Sequence, residues 1–220
     1  TLQRAGADDA KRYWLDEGRG EKGGFIREVD YAANARGVDP LFEGIKIVDC
    51  DTHFTEPANL WVDNAPVGMK DKMPHVQRIG GADKWFVCGR DFGSMGGNVI
   101  AKDKNKLLGK LAFNRYEQIA TGSYDLAERV KDMDDMGIWG HICFQNGGVT
   151  QAGSLVALDD EPVAVAITQI YNDACKDRMD ASGGRVNCMA TLPYWDKALM
   201  NAELRRIVDM GIKGITLPDR

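Results

Sequence analysis

Residues 124–145 read YDLAERVKDMDDMGIWGHICFQ, and they decide the fold class. Leu126, Val130, Met133 and Met136 recur at helical spacing, with Gly137 as a terminator. The strand-like run from Ile138 to Gln145 follows at once. The alternation continues downstream. A helix starting near Asp160-Glu161-Pro162 carries an apolar stripe of Val163, Ile167, Ile170 and Ala174 and stops at Gly183-Gly184. A strand from Val186 to Leu192 comes next. A helix then runs from Asp196 to Gly211 with Met200, Leu204, Ile207 and Met210 inward, and a strand follows from Ile212 to Leu217.

Upstream, the first strong strand is Ile45-Lys46-Ile47-Val48-Asp49-Cys50-Asp51. The order is therefore β-α-β-α-β-α-β, with an insertion at about residues 54–122 between the first strand and first helix. Within it, residues 75–79 and 84–88 predict a hairpin joined by Gly80-Gly81-Ala82-Asp83, and residues 89–97 a loop. Alternating strands and helices imply an α/β fold with a parallel sheet. Two architectures satisfy that pattern, an open doubly wound sheet and part of a (β/α)8 barrel. A whole barrel takes ~250 residues, and a parallel sheet ending after residue 217 has one face left uncovered. The expectation is the first half of a barrel, completed by a C-terminal half. Residues 1–44 are charged and Gly-rich (Gly18-Arg19-Gly20-Glu21-Lys22-Gly23-Gly24) and read as an N-terminal extension that packs on the body or on another subunit, with a short helix near residues 8–17.

The 220 residues carry a net charge of −5, with 44% hydrophobic and 28% charged residues, as folded globular chains do. The acidic balance and the lack of a Lys/Arg block point away from nucleic acid. No apolar run approaches the ~20 residues of a membrane helix. The opening residues Thr1 to Gly6 lack the apolar core of a signal peptide. Cysteines stand at 50, 88, 143, 175 and 188 without CxxC spacing, and they read as buried reduced thiols of a cytoplasmic protein.

The chemistry concentrates in Asp49-Cys50-Asp51-Thr52-His53-Phe54-Thr55-Glu56-Pro57. Side chains alternate along a strand, so Asp51 and His53 share a face at its C-terminal end, where α/β folds keep their active sites. A carboxylate and an imidazole side by side suit one divalent ion such as Zn²⁺ or Mn²⁺, with iron a further option. Asp49 shares that parity one step deeper and reads as a carboxylate that hydrogen-bonds a metal ligand from behind, or as a core carboxylate; Glu56 reads as a ligand, an acid/base or a turn residue. The alternative for Asp51 and His53 is a local hydrogen-bonded pair that caps the loop. His141 shares parity with Cys143 and Gln145 and reads as a core histidine with a satisfied hydrogen bond, with a metal ligand or a pocket residue as the alternatives. Gln145 and Asn146 end their strand and are pocket candidates. Trp61, Trp85, Phe86 and Phe92 either roof an aromatic substrate or form a satellite core. Arg78, Arg90 and Arg115 are candidates to hold a substrate carboxylate.

With these residues in view, IVDCDTHFTEPANLW (47–61) resembles the opening strand of the amidohydrolase-related enzymes, a group that includes the aminocarboxymuconate semialdehyde and resorcylate decarboxylases. Residues 124–145, then Tyr171-Asn172-Asp173 with Asp177-Arg178-Met179, then Leu192-Pro193, Asp196, Ala202-Glu203-Leu204-Arg205-Arg206, Gly211, Lys213-Gly214 and Leu217-Pro218, are similar to later segments of that family in the same order. The resemblance implies a barrel with one divalent metal at its C-terminal mouth, held in part by Asp51 and His53. A further His and the catalytic Asp would lie beyond Arg220. Asp51 departs from the family's His or Glu and is shorter. The implied activity is metal-activated hydrolysis of a C–N or C–C bond in a small carboxylated or aromatic substrate. Non-oxidative decarboxylation of an aromatic acid on the same site, an iron or manganese oxygenase, and a metal-poor structural subunit of a hetero-oligomer are the alternatives. A small open-sheet binding domain without metal is the alternative outside that family. A homo- or hetero-oligomer is expected.

Overall fold

Each predicted helix starts at its cap. The computed structural model describes residues 27–29, 42–95, 97, 99–104, 106–108 and 113–218. Most of the predicted N-terminal extension, with its short helix near residues 8–17, lies outside them. Four helices from Leu60–Asp63 (α1) through Leu126–Met136 (α2) and Ala152–Val156 (α3) to Glu161–Ala181 (α4) precede Lys197–Asp209 (α5). The Asp125 carboxylate accepts the Glu128 N–H at 2.9 Å, and Gly137 closes α2 at φ 69°. Asp160 caps α4, with Pro162 in its first turn. Asp196 accepts the N–H groups of both Ala198 and Leu199 at 2.8 Å to open α5. Among the described residues no helix is long and apolar enough to cross a membrane.

Three short strands make the parallel sheet. Counting Arg27–Val29 as β1, they are Val48–Phe54 (β2), Gly140–Gln145 (β7) and Val186–Cys188 (β8). Their order is β2-β7-β8, and a parallel bridge from Ala190 to Ile215 continues it. Chain neighbours are thus sheet neighbours throughout, without the strand-order reversal of a doubly wound sheet. The expected last strand, 212–217, reduces to that single bridge.

The insertion holds more sheet than expected. His75–Ile79 (β3), Ala82–Val87 (β4) and Arg90–Ser94 (β5) form an antiparallel sheet in that order. Gly80-Gly81 turns the first hairpin with φ +60° and +81°, which an L-residue rarely adopts. Cys88-Gly89 turns the second, so part of the predicted 89–97 loop is a strand. Lys106–Leu108 (β6) pairs with β1, antiparallel.

The helices α2 and α4 cover one face of the parallel sheet. Phe54, Cys143, Val186 and Cys188 join Met133, Val163, Ile167, Ile170, Tyr171 and Cys175 in the main core. Trp61 and Trp85 extend it, fully buried and packed edge to face at 5.2 Å. Their N–H groups donate to Ile167 O at 3.0 Å and Met95 O at 3.4 Å. The tryptophans therefore belong to the core, and the pocket reading of Trp61 is overturned.

The first strand differs from its prediction in a way that moves the candidate residues. It extends to Phe54, three residues past the expected end, because it pairs with β7 as far as Gln145. Asp49 pairs with His141 but Thr52 pairs with Cys143, so three steps in β2 oppose two in β7. That extra residue is a bulge at Cys50-Asp51, and it reverses the alternation beyond it. Asp49 therefore faces the same side as His141, Cys143, Thr52 and Phe54. His53 takes the opposite side with Phe144, and the shared parity of Asp49 and His53 is overturned.

Candidate active site

The C-terminal ends of β2 and β7 and the loops that follow them make one polar cluster. Asp51 is exposed in the bulge, where its backbone N–H donates to Asp49 Oδ1 at 3.1 Å. Asp49 thus braces the backbone of Asp51. Two carbonyl contacts fix His53, which is half-buried. Its Nδ1 lies 3.0 Å from the carbonyl oxygen of Gln145, and the Arg129 guanidinium from α2 donates to its own carbonyl at 2.9 Å. A carbonyl only accepts, so Nδ1 carries the proton and Nε2 keeps a free lone pair.

Glu56 is fully buried beside this pair. The Asn146 backbone N–H donates to Oε1 at 3.1 Å and the Gly147 N–H to Oε2 at 2.8 Å. Asn146 Nδ2 donates to Thr55 Oγ1 at 2.7 Å, and Tyr116 Oη donates to the Glu56 carbonyl at 2.7 Å. A Cβ on Gly147 would meet Glu56 Oε2 at 3.0 Å and Trp85 Nε1 at 3.2 Å, so residue 147 has to stay small. Burial pushes the Glu56 carboxyl up to about 7, against the pull of its own and the Gly147 and Asn146 backbone N–H groups and the Arg178 charge.

Gln145 is half-buried and its side-chain oxygen accepts the Thr216 hydroxyl at 3.2 Å, which links the end of β7 to the segment after α5. The three arginines proposed for a substrate carboxylate are placed elsewhere. Arg78 pairs with Asp83 at 2.8 Å and Glu117 at 2.7 Å, and Arg90 donates to the Ala157 carbonyl. Arg115 is exposed beside a 3-10 turn at 116–118.

His141 stands apart from the cluster. It is buried at the opposite, N-terminal end of β7, on the helix-covered face, and neither ring nitrogen has a hydrogen-bond partner among the described residues. The expected satisfied core histidine is thus a core histidine without a bond, and it does not line the mouth. Burial lowers it to about 4, helped by the charges of Arg129 and Arg185 and opposed by Asp49.

A second buried polar group lies beneath the sheet. Cys143, Cys175 and Cys188 are buried, Cys88 is half-buried and Cys50 is exposed, so the burial expected of all five holds for three. Hydrogen bonds from Cys143 and Cys175 hold Cys188 well below the ordinary thiol range, next to the buried Arg178. Arg178 stacks on Phe54 at 4.4 Å.

Asp51 and His53 suit a divalent cation by donor chemistry: one hard carboxylate and one imidazole with its outer nitrogen free. Among the described residues no third His, Cys, Asp or Glu groups with them to complete a metal site. Sequence reasoning missed Thr55, Tyr116, Arg129 and Gly147. The Asn146-Gly147-Gly148 run was the available signal, since it ends a strand with backbone N–H groups that bulky side chains do not screen.

No family model matches the chain, and no curated protein does. Solved structures do. An amidohydrolase from Mycobacterium avium subsp. paratuberculosis K-10 is similar over 76% of this chain and 47% of its own, with a TM-score of 0.51 and 14% identity. This likeness, with the sequential parallel strand order, assigns an amidohydrolase-like α/β fold. A 2,6-dihydroxybenzoate decarboxylase from Rhizobium aligns over 77% of this chain and 37% of its own, at 20% identity and a TM-score of 0.39; its complex with 2,6-dihydroxybenzoate gives 19% and 0.39. The fold assignment rests on the first. The chain spans about half the length of that amidohydrolase.

Proposed function

We propose that the end of β2 supplies part of a divalent-metal site in an amidohydrolase-type enzyme acting on a small carboxylated or aromatic substrate. The observation that carries the reading is the His53 hydrogen bond: Nδ1 donates to Gln145 O, which leaves Nε2 as the unprotonated nitrogen of the ring. Asp51 offers an exposed carboxylate two residues earlier. When bound, a divalent ion polarises a scissile group and acidifies a water. Asp51 and His53 would hold it, and Arg129 and Gln145 keep the imidazole in place. Glu56 has both oxygens engaged by backbone N–H groups and takes no part as a ligand. The remaining ligands come from outside the described residues.

The test is metal analysis of the intact purified protein beside Asp51→Ala and His53→Ala. Wild type is expected to carry about one equivalent of zinc or manganese, and both variants to lose it. A wild type that stays metal-free after reconstitution sinks the reading. With metal present, cyclic amides and aromatic acids as substrates separate hydrolysis from decarboxylation.

A further inference from the structure

We infer that Glu56 is a positioning residue: its carboxylate clips the end of β7 so that the Gln145 carbonyl fixes the tautomer of His53. Three consecutive residues of β7 and its loop are involved. Gln145 O accepts from His53 Nδ1 at 3.0 Å, and the N–H groups of Asn146 and Gly147 donate to Glu56 Oε1 and Oε2 at 3.1 and 2.8 Å. His53, in β2, and Glu56, in the loop after it, lie three residues apart, so the contacts close a ring through both chain segments. The Asn146–Thr55 bond at 2.7 Å lies inside that ring and stiffens it. Glu56 is fully buried, so water does not compete for its oxygens. With the carboxylate gone, the buried Gly147 N–H and the half-buried Asn146 N–H lose their acceptor, and the 145–147 backbone must turn to find others. The Gln145 carbonyl turns with it. The imidazole then loses the acceptor that keeps its proton on Nδ1, and Nε2 no longer presents a lone pair.

The value of this clip to the enzyme rests on the reading of His53 as a ligand, but its test does not. The chain has three histidines, His53, His75 and His141, so a protein labelled with ¹⁵N-histidine gives a spectrum that single His→Gln variants assign. The metal-free intact protein is read at about pH 8.5, above the ordinary histidine range. Wild-type His53 is expected as the Nδ1–H tautomer. Glu56→Gln keeps the shape but sets an amide NH₂ against one of the two N–H donors. Gly147→Ala keeps Glu56 and crowds Oε2 from the other side, and it decides the matter where Glu56→Gln fails to fold. In each folded variant the His53 signals are expected to move toward the Nε2–H form, while those of His75 and His141 stay in place. Zn²⁺ affinity is expected to fall about 10–100-fold in the same variants. A wild-type His53 that is not Nδ1–H, or folded variants that keep the wild-type tautomer, overturns the inference. Failure of the ligand reading shows separately, as His53→Ala retaining its metal.

Discussion

Glu56 and His141 are both buried and titratable, and they sit at opposite ends of the same parallel sheet. At the C-terminal end, each Glu56 oxygen accepts a backbone N–H. At the N-terminal end, both His141 nitrogens are without a partner among the described residues. Burial acts on both in the same sense, against the charged form, and moves the acid up to about 7 and the base down to about 4. The surroundings differ in what they do with the group. One end uses its carboxylate to join two loops; the other tolerates a neutral ring as an apolar plate. A buried ionisable residue is thus no sign of a site until its hydrogen bonds are followed.

Removing the better-connected partner should cost most. Glu56→Ala orphans the buried Gly147 N–H and the half-buried Asn146 N–H and is expected to lower unfolding free energy by roughly 3 kcal/mol in urea titrations. A loss under about 1 kcal/mol would mean the carboxylate joins nothing.

The pH dependence sharpens the contrast. The folded-state value of Glu56 is raised, so its contribution is present at low pH and fades as pH climbs from about 4.5 to about 7. His141 is depressed, so its contribution is full above about 6.5 and fades as pH drops toward about 4. Between about pH 4.5 and 6.5 the two slopes oppose, and their contribution in wild type is nearly flat. His141→Phe should expose the Glu56 slope, losing about 2 kcal/mol from pH 4.5 to 6.5; Glu56→Gln should gain a similar amount over the same interval. Matching slopes in both variants would break the opposition.

Smaller effects test the two settings directly. Gly147→Ala is expected to cost about 1–2 kcal/mol by crowding Oε2 and Trp85, as measured by thermal unfolding. His141→Phe at pH 7 is expected to change stability by less than about 1 kcal/mol, or to raise it, since the ring gives up no hydrogen bond. A loss of several kcal/mol would show that His141 has a bonded role.

The same divide explains what the sequence made legible. Asp160-Pro162, Asp196, Gly137 and Gly211 announced ends of the helices because caps act within one turn of chain. Asp51 and His53 stood out because their chemistry and nearness are local. The bulge did not, since an extra residue in β2 is defined only by its pairing with a strand some 90 residues away. Strand β5 was hidden by its turn: Cys88 takes φ 49°, a conformation that cysteine does not advertise. The bonds of Glu56 to residues 146 and 147 were equally remote, so the sequence left Glu56 open as a ligand, an acid/base or a turn residue.

The bulge also sets how β2 should respond to a substitution scan. A regular strand gives a two-residue rhythm of tolerant and intolerant positions. Here the rhythm should slip by one beat at Cys50-Asp51, with Asp49, Thr52 and Phe54 falling on one beat and His53 on the other. Deleting either bulge residue would make the alternation regular while Thr52 stays opposite Cys143 and His53 opposite Phe144, so the length of this short stretch sets the rhythm as much as its letters do.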